Sequence, residues 1–580
     1  MADEANTSNS DTQAKSQSLR LWPALLFILI GLSVSLGIRE FGSTNEHNVI
    51  RLLIAPLVAS IGIVLWWLVG SRVKGLHRVY GLLLFIGLLG ILFASQSEHL
   101  AAVLIVLIAV PYFTYGVVIL LTLVRNRAWK IQSRWAIVYM LLCCCVFSLL
   151  RVDSVSGGLI PEMYWRWKPQ LEESTSTVLS DESPAKIAEV NLEITSADWP
   201  EFRGEKRDGQ VRNVSFNQDW STPPNELWRK AVGGGWSSFT VIGDYFFTQE
   251  QRGKKEAVVC YLVETGEEIW LSTIEESFEE IMGNGPRATP TYKDGRLYAQ
   301  GATGVVQCLD ARTGKQIWQR DLRVDAKADV PQWGYSSSPL VVSNRVIHYA
   351  GGSDDTSVIA YDKDTGDIAW NTGKGKTGYA SAQQVSINNV PQVLLTSNFG
   401  VESFVAATGE VLWGHEWRAK SNPRVVQPLL TEDGGILIGT PGGQGTRRIQ
   451  VAKEGDVWAI EEQWTTRKFR PYFNDMIIFE DYCYGFDGDR LVCIDTATGD
   501  MQWKSDRIGG QMILVKDMGM LLVLTEEGKA LLVKAQPEAY TVQTEFQAIN
   551  GKTWNHPVIA GGRLFVRNSE EMACYELGPA

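Results

Sequence analysis

The side chains of this chain suited to holding a ligand fall at equivalent places in a repeated segment. Asn284, Arg287, Gln384, Arg424, Gln427, Arg470, Asn474, Gln511, Asn555 and His556 supply polar tips, and Trp236, Trp333 and Trp554 supply flat faces. A guanidinium group pairs with a carboxylate through two parallel hydrogen bonds, and an indole face stacks on a planar ring. Together these types describe a basic, aromatic-lined pocket for a planar anion. They equally suit hydrogen bonds to neighbouring strands and to channel water, because buried polar groups need partners. Both readings stand on the sequence. Groups for catalysis are scarce. His348, His415 and His556 lack metal-ligand spacing, and the chain has no Walker loop, GxSxG elbow or zinc motif.

The elements that must position these residues repeat five times. YLVETGEEIW (Tyr261–Trp270), CLDARTGKQIW (Cys308–Trp318), AYDKDTGDIAW (Ala360–Trp370), SFVAATGEVLW (Ser403–Trp413) and CIDTATGDMQW (Cys493–Trp503) each read as strand, Thr-Gly turn, strand, Trp. Gly266, Gly314, Gly366, Gly409 and Gly499 suit a left-handed turn position because they lack a Cβ. Asp310, Asp362 and Asp495 are placed to accept from backbone N–H groups two residues on. A Trp at one fixed phase in every copy predicts a residue that docks one repeat on the next. Weaker copies end at Trp464 and Phe546, and an eighth is split between ELW ending at Trp228 and ACYEL (Ala573–Leu577). The closing aromatics are spaced 39 to 52 residues apart, which suits one four-stranded blade each. The expectation is an all-β, eight-bladed propeller over residues 198–580, closed by strands from both of its ends. The innermost strand of each blade then begins near the axis, in segments such as GGGWSSFTV (Gly233–Val241) and KTWNHPVI (Lys552–Ile559). Arg287, Arg424 and Arg470 start three such strands, so they are expected to share the central funnel.

The first third has another composition. Apolar runs begin near Leu21, Leu52, Val79, Leu100 and Trp135. Four approach the ~20 residues that span a bilayer, and the last is shorter. This predicts a polar tail over 1–19, an α-helical transmembrane region of about five helices over 20–152, and a Ser/Thr/Glu-rich linker over 153–197. Arg72, Lys74 and Arg78 follow the second run, and Arg125, Arg127, Lys130 and Arg134 follow the fourth. By the bias of basic loops towards the cytoplasm, the N-terminus is cytoplasmic and the propeller lies across the membrane. In a bacterium that means an inner-membrane, multi-pass protein with a periplasmic propeller. Residues 1–170 hold 14 Lys and Arg against 8 Asp and Glu, and the remainder holds 40 against 57. So acidic a propeller excludes nucleic acid as the expected partner. The propeller cysteines Cys260, Cys308, Cys483, Cys493 and Cys574 mostly fall at strand positions and read as small buried residues.

At the Asp-x-x-Thr-Gly-x-x-x-Trp motif the chain resembles the PQQ-type, or quinoprotein-like, propeller superfamily. The resemblance covers about Trp199 to Leu577. The opening DWPEFRGEKRDG (Asp198–Gly209) and KTWNHP (Lys552–Pro557) are similar to a bacterial PQQ-like subgroup. The resemblance implies one of two functions. Some members are dehydrogenases holding pyrroloquinoline quinone (PQQ) and calcium in the funnel, and membrane-bound quinoprotein glucose dehydrogenases likewise join five helices to such a propeller. Others bind no cofactor and grip other proteins. Calcium would need oxygen ligands, for which Asn284, Asn474 and Asp475 are the candidates, without a full Glu/Asn/Asp set. The vicinal cysteine pair of the alcohol-oxidising members is absent from the propeller. The favoured expectation is a membrane-anchored binding or scaffold protein for envelope proteins or an anionic small molecule, with no catalytic or metal residues assigned. The alternative is a PQQ- and calcium-dependent dehydrogenase passing electrons to membrane quinone.

Overall fold

A computed structural model describes residues 19–41, 49–96, 99–155, 160–168, 192–353, 355–420 and 423–579. Most of the expected tail and residues 169–191 of the expected linker lie outside the described residues. The chain divides into two compact units, Met1–Lys168 and Pro169–Ala580.

The first unit contains helices α1 (Trp22–Phe41), α2 (Ala55–Val69), α3 (Gly75–Ala94), α4 (His99–Leu123) and α5 (Trp129–Ser148). A π-helical turn, Ile50–Ile54, leads into α2. Four spans, Ile50–Val69, Gly75–Ala94, Ala101–Leu123 and Trp129–Ser148, are long and apolar enough to cross a membrane, and Trp22–Ile38 is a shorter apolar stretch. Small residues let the helices approach. A Cβ added at Gly31 would lie 2.8 Å from the Ala59 methyl, and one at Gly62 2.6 Å from the Phe27 ring. Such packing substitutes for the hydrophobic drive that lipid removes. Thr114 Oγ1 donates to Ser60 Oγ at 2.9 Å, so two buried hydroxyls satisfy each other between α4 and α2. After α5 the strands Leu150–Val155 and Pro161–Trp165 pair antiparallel. This hairpin takes in residues that composition assigned to the linker; its short strands are too brief to register against the flanking polar run.

The second unit is an eight-bladed propeller. Blades one to six comprise residues 240–274, 291–321, 340–372, 383–416, 429–466 and 477–507, each a four-stranded antiparallel sheet. The seventh (510–547) gains Gln210–Val211, which pairs parallel with Leu514–Val515. The eighth combines Val558–Ala560, Arg563–Arg567 and Glu571–Glu576 with Asn225–Ala231 from the other end of the propeller. There Cys574 faces Trp228 and Met572 faces Lys230. Closure leaves no blade with a vacant edge inside the ring.

One contact recurs around the ring. Gly266, Gly314, Gly366, Gly409 and Gly499 have φ between +64° and +76°. Each sits on the indole of the preceding blade: a Cβ at Gly366 would lie 2.7 Å from Trp318, and one at Gly314 2.5 Å from Trp270. Indole N–H groups also donate across the blade boundary. Trp228 Nε1 donates to Val263 O at 2.8 Å, Trp318 to Lys363 O at 3.0 Å and Trp503 to Gln536 O at 2.7 Å. Trp413 is the exception. The blade after it has lost the Thr-Gly turn, and its indole donates instead to Gln392 Oε1 at 2.7 Å. The strand partner of each Trp is small in most blades: Cys260 faces Trp270, Cys308 faces Trp318, Ala360 faces Trp370 and Cys493 faces Trp503. All five propeller cysteines are buried and unpaired.

Two outcomes follow from this construction. Trp318→Ala lowers the stability of the propeller transition by about 3–5 kcal/mol through the cavity it leaves, and Gly366→Ala also destabilises it, through the φ penalty and the clash with Trp318. Denaturant unfolding of the full-length protein, monitored by tryptophan fluorescence, reads both; a change below about 0.5 kcal/mol in each contradicts the docking role. Deleting residues 573–580 removes most of the strand that pairs with Asn225–Ala231 and exposes edges, so the truncated protein aggregates. Size-exclusion chromatography showing a monodisperse product of unchanged melting temperature contradicts the closure.

Candidate functional site

The innermost strands bring short polar side chains together around the axis. Ser238, Thr289, Ser338, Ser381, Gln427, Asp475 and His556 each stand two residues before an innermost strand, and they link blade to blade. Ser238 N donates to Thr289 Oγ1 (3.1 Å), Thr289 N to Ser338 Oγ (2.9 Å), and Ser338 N to Ser381 Oγ (2.9 Å). Gln427 Nε2 donates to Ser381 O (3.2 Å) and Gln427 N to Asp475 Oδ1 (2.9 Å). Asp475 Oδ2 lies 3.5 Å from His556 Nε2, and Ser238 Oγ donates to His556 O (2.7 Å). Small hydroxyl residues fit here because eight strands crowd one axis.

Residues 199–211 cross this ring and close the channel along the strands. Trp199 pairs with Val241, and Tyr292 N donates to Pro200 O at 2.8 Å. Arg207 is fully buried. It donates to Ser338 O (3.1 Å), Ala382 O (2.9 Å) and Pro339 O, and pairs with Glu201. Arg203, also buried, lies 3.0 Å from Asp475 Oδ1 and donates to Met476 O at 2.6 Å. Burial acts to raise the Asp475 pKa, but Arg203, His556 and the Gln427 amide outweigh it and hold the carboxyl below its usual range. Leu514 N donates to Gly209 O at 2.8 Å. The two arginines therefore tie this segment to blades two, three, four and six. The sequence signal is DWPEFRGEKRDG, whose two arginines adopt positive φ near Gly204 and Gly209.

Towards the entry end of the same strands the channel is roofed by aromatic rings. Trp236 packs on Trp554 with centroids 4.9 Å apart, Trp554 on Phe473 (5.2 Å), and Phe473 on Tyr472 (5.6 Å). Tyr472 meets Trp333 edge-on at 6.1 Å, and Trp333 meets Tyr379 at 5.2 Å. Trp333 leads into blade three and Tyr472 into blade six, so their contact bridges the axis. Lys552 Nζ stands 4.6 Å from the Trp554 ring and 5.6 Å from that of Trp236, within cation–π range. Trp236, Trp333, Tyr472, Phe473 and Trp554 remain half-buried. The indole N–H groups of Trp236 and Trp554 have no protein acceptor.

The arginines that were expected to share one pocket each hold protein partners. Arg424 is buried inside the blade four–five junction, where it donates to Ser397 O (2.7 Å), Thr440 Oγ1 (2.9 Å) and Trp417 O; burial, then Arg447, pushes its pKa down to about 10. Arg470 forms a two-point pair with Asp487 at 2.8 and 3.1 Å. Arg287 donates to Gly285 O (2.6 Å) and Gly283 O (2.7 Å) and packs 4.6 Å over Phe278; burial lowers its pKa to about 10 against the pull of Glu280 and Glu256. The three cations thus each have protein partners of their own. Gln384 is exposed, and its neighbour Gln383 faces inward to Arg207 O at 3.3 Å; strand alternation shifted the expected phase by one. Gln427, Asn474, Gln511 and Asn555 do line the junctions. Asn474 Nδ2 donates to Gly510 O (2.5 Å), Gln511 Nε2 to Phe473 O (3.3 Å) and Asn555 Nδ2 to Ser237 O (2.6 Å). The side-chain oxygens of these four amides lack a protein donor, which suits channel water. Asn284 Oδ1 accepts from Glu280 N at 3.1 Å, and His556 packs 5.0 Å from Phe202.

This donor set does not fit PQQ or calcium. The guanidinium groups that would take the carboxylates of the quinone already donate to backbone carbonyls, Thr440 Oγ1 or Asp487. Of the calcium candidates, Asp475 is held by Arg203 and Asn284 Oδ1 already accepts from Glu280 N. Among the described residues no group of three or more His, Cys, Asp or Glu is placed to share a metal ion.

Comparison with known proteins returns both branches of the superfamily. Over 305 residues the chain is 22% identical to the outer membrane protein assembly factor BamB of Yersinia pestis, covering 48% of this chain and 71% of that protein. Over 145 residues it is 30% identical to the quinoprotein alcohol dehydrogenase PedH of Pseudomonas putida, covering 24% of each, so the aligned part spans about a quarter of that relative's length. Among solved structures, BamB from Moraxella catarrhalis superposes with a TM-score of 0.46 and 13% identity over 61% of this chain and 99% of that one. The quinohemoprotein alcohol dehydrogenase of Comamonas testosteroni gives 0.49 and 12% over 71% and 85%. The model of a PQQ-repeat family described as "Outer membrane protein assembly factor BamB" matches residues 215–332 and 254–505, together half of the chain. The protein therefore belongs to that PQQ-repeat propeller family.

Proposed function

We propose that this protein is a membrane-anchored binding module whose propeller grips another envelope protein at the aromatic entry end of its channel. The observation that carries this reading is the ring contact between Trp333 and Tyr472 across the axis, flanked by half-buried Trp236 and Trp554. Partly exposed aromatics beside a cation form the kind of patch from which interface anchors are drawn. Lys552 over the two indoles offers positive charge to an incoming chain. The assembly-factor relatives bring the same reading by analogy. The dehydrogenase relatives bring the other, in which PQQ and calcium occupy the axis; the partners already held by Arg287, Arg424 and Arg470 weigh against it. We place the propeller in the periplasm and the helices in the inner membrane because Arg72, Lys74, Arg125 and Arg127 fall in the two loops at one end of α2–α5, with Lys130 and Arg134 on the first turns of α5 beside them.

Two measurements test this. A photoreactive amino acid at Trp554 should crosslink in intact cells to one discrete protein, identified by mass spectrometry, whereas one at exposed Val457 should not; Trp333→Ala with Tyr472→Ala should weaken the Trp554 adduct at least about tenfold, as expected for interface anchors worth more than 1.4 kcal/mol. Equal adducts at both positions contradict the site. A quinone absorbance band with dye-linked alcohol oxidation, after PQQ and calcium are added to the pure protein, replaces this reading with the dehydrogenase. For topology, alkaline phosphatase fused at Ala580 should be active and fused at Lys130 inactive; the reverse pattern overturns the orientation.

A further inference from the structure

The helical unit contains a cavity of about 490 Å³ bounded by α2, α3, α4 and α5, within the ~300–1,000 Å³ range of ligand pockets. Its walls are apolar along the helices, with Phe85, Leu121, Ile137 and Met140 among them. Polar groups gather at one end, where His77, Trp129 and Ser133 form the rim with Trp67. There Trp67 lies 6.3 Å from Trp129, and Trp129 lies 6.1 Å from His77. Trp residues at the ends of membrane helices are enriched at the membrane–water boundary. Along α5 the cavity runs from Trp129 to Met140, about 16 Å at 1.5 Å per residue. That is close to half of a ~30 Å hydrocarbon core. The cavity is one leaflet deep.

The rim lies at the end of the bundle where the two basic loops emerge. Arg72 and Lys74 stand between α2 and α3, and Arg125 and Arg127 between α4 and α5, with Lys130 and Arg134 on the first turns of α5. All six are exposed. Arg78 is engaged differently: it donates to Leu68 O and Val73 O, both at 2.7 Å, and pins the first of these loops. Residues 49–96 and 99–152 contain no Asp or Glu. The collar therefore has no carboxylate of its own in these helices and loops to neutralise it. A slot one leaflet deep, apolar below and cationic above, matches one occupant.

We propose that this cavity binds a phospholipid with an anionic head group, its acyl chain along Phe85, Leu121 and Met140 and its phosphate at the collar of Lys130, Arg134, Arg72 and Lys74. Basic pockets between transmembrane helices recognise such head groups by charge, at roughly 1 kcal/mol per cation. Ile137, exposed on the membrane side of the pocket, stands at its lateral mouth.

The test uses the full-length protein in detergent, titrated with phosphatidylglycerol and with phosphatidylcholine carrying the same acyl chains. Native mass spectrometry and thermal melting are read together. Phosphatidylglycerol should remain bound and raise the melting temperature of the helical unit, phosphatidylcholine should do neither, and soluble glycerol phosphate should do neither. Lys130→Gln with Arg134→Gln, both exposed, should weaken phosphatidylglycerol roughly tenfold or more. Ile137→Trp, which fills the mouth while leaving the charges, should also lose binding. Equal effects of the two lipids overturn the head-group assignment. An equal effect of glycerol phosphate overturns the acyl slot. Undiminished binding by the Gln double variant, or by Ile137→Trp, overturns the site itself.

Discussion

The propeller depends on a contact between a tryptophan and a glycine of the next blade. At Trp318 and Gly366 the indole face occupies the volume that a Cβ would need, and the indole N–H reaches the turn backbone at Lys363 O. The turn residue must therefore lack a side chain for two independent reasons: a left-handed φ of +76° and the ring beneath it. The contact is both apolar and hydrogen-bonded, so it fixes distance and angle together. The same contact recurs at five of the eight blade junctions. The small residues opposite the indoles belong to the same device, which explains buried Cys260, Cys308, Cys493 and Cys574 without invoking disulfides or reactivity.

Closure then decides what the centre can be. Eight innermost strands leave room for hydroxyls and short amides, and Ser238, Thr289, Ser338 and Ser381 use it to carry hydrogen bonds from blade to blade. The segment around Arg203 and Arg207 enters this ring and supplies donors to carbonyls that would otherwise be buried without partners. Removing such a donor exposes the full desolvation penalty of the groups it served. The blade scaffold is shared by cofactor-dependent and cofactor-free members of the superfamily. In this chain the entry segments bring aromatic rings together across the axis, and Arg287, Arg424 and Arg470 already have their protein partners.

The helical unit follows a different economy of interactions. In hydrocarbon every polar group must find an internal partner, and Thr114 with Ser60, or Tyr139 with Tyr112 O, does so between helices. Gly31, Gly62 and Gly116 admit neighbouring side chains at distances that a methyl group would prohibit. Aromatic and basic residues accumulate at one end of α2–α5, which gives the bundle a chemically distinct boundary there.

Much of the fold was legible in the sequence because its determinants are local. A Thr-Gly turn, an Asp accepting from the N–H groups two and three residues on, and a Trp four residues beyond the glycine all act within a dozen residues. Asp362 and Asp495 bond as their spacing implied, accepting from the N–H groups of Asp364 and Ala497 two residues on. The split blade was also legible, since Trp228 and Cys574 are the two halves of one repeat. The candidate site was legible only as a set of residue types. Nothing local shows that Arg470 will meet Asp487, that Arg424 will turn to Ser397 and Trp417, or that Gln383 rather than Gln384 will face inward. Trp333 and Tyr472 touch because ring closure carries two distant entry segments to opposite sides of one axis. The sequence by itself determined the blades, their number and the membrane helices, through periodicity and turn chemistry. Only the tertiary structure decided which polar groups are left to bind anything, because a buried cation takes whichever oxygen the closed ring places within reach.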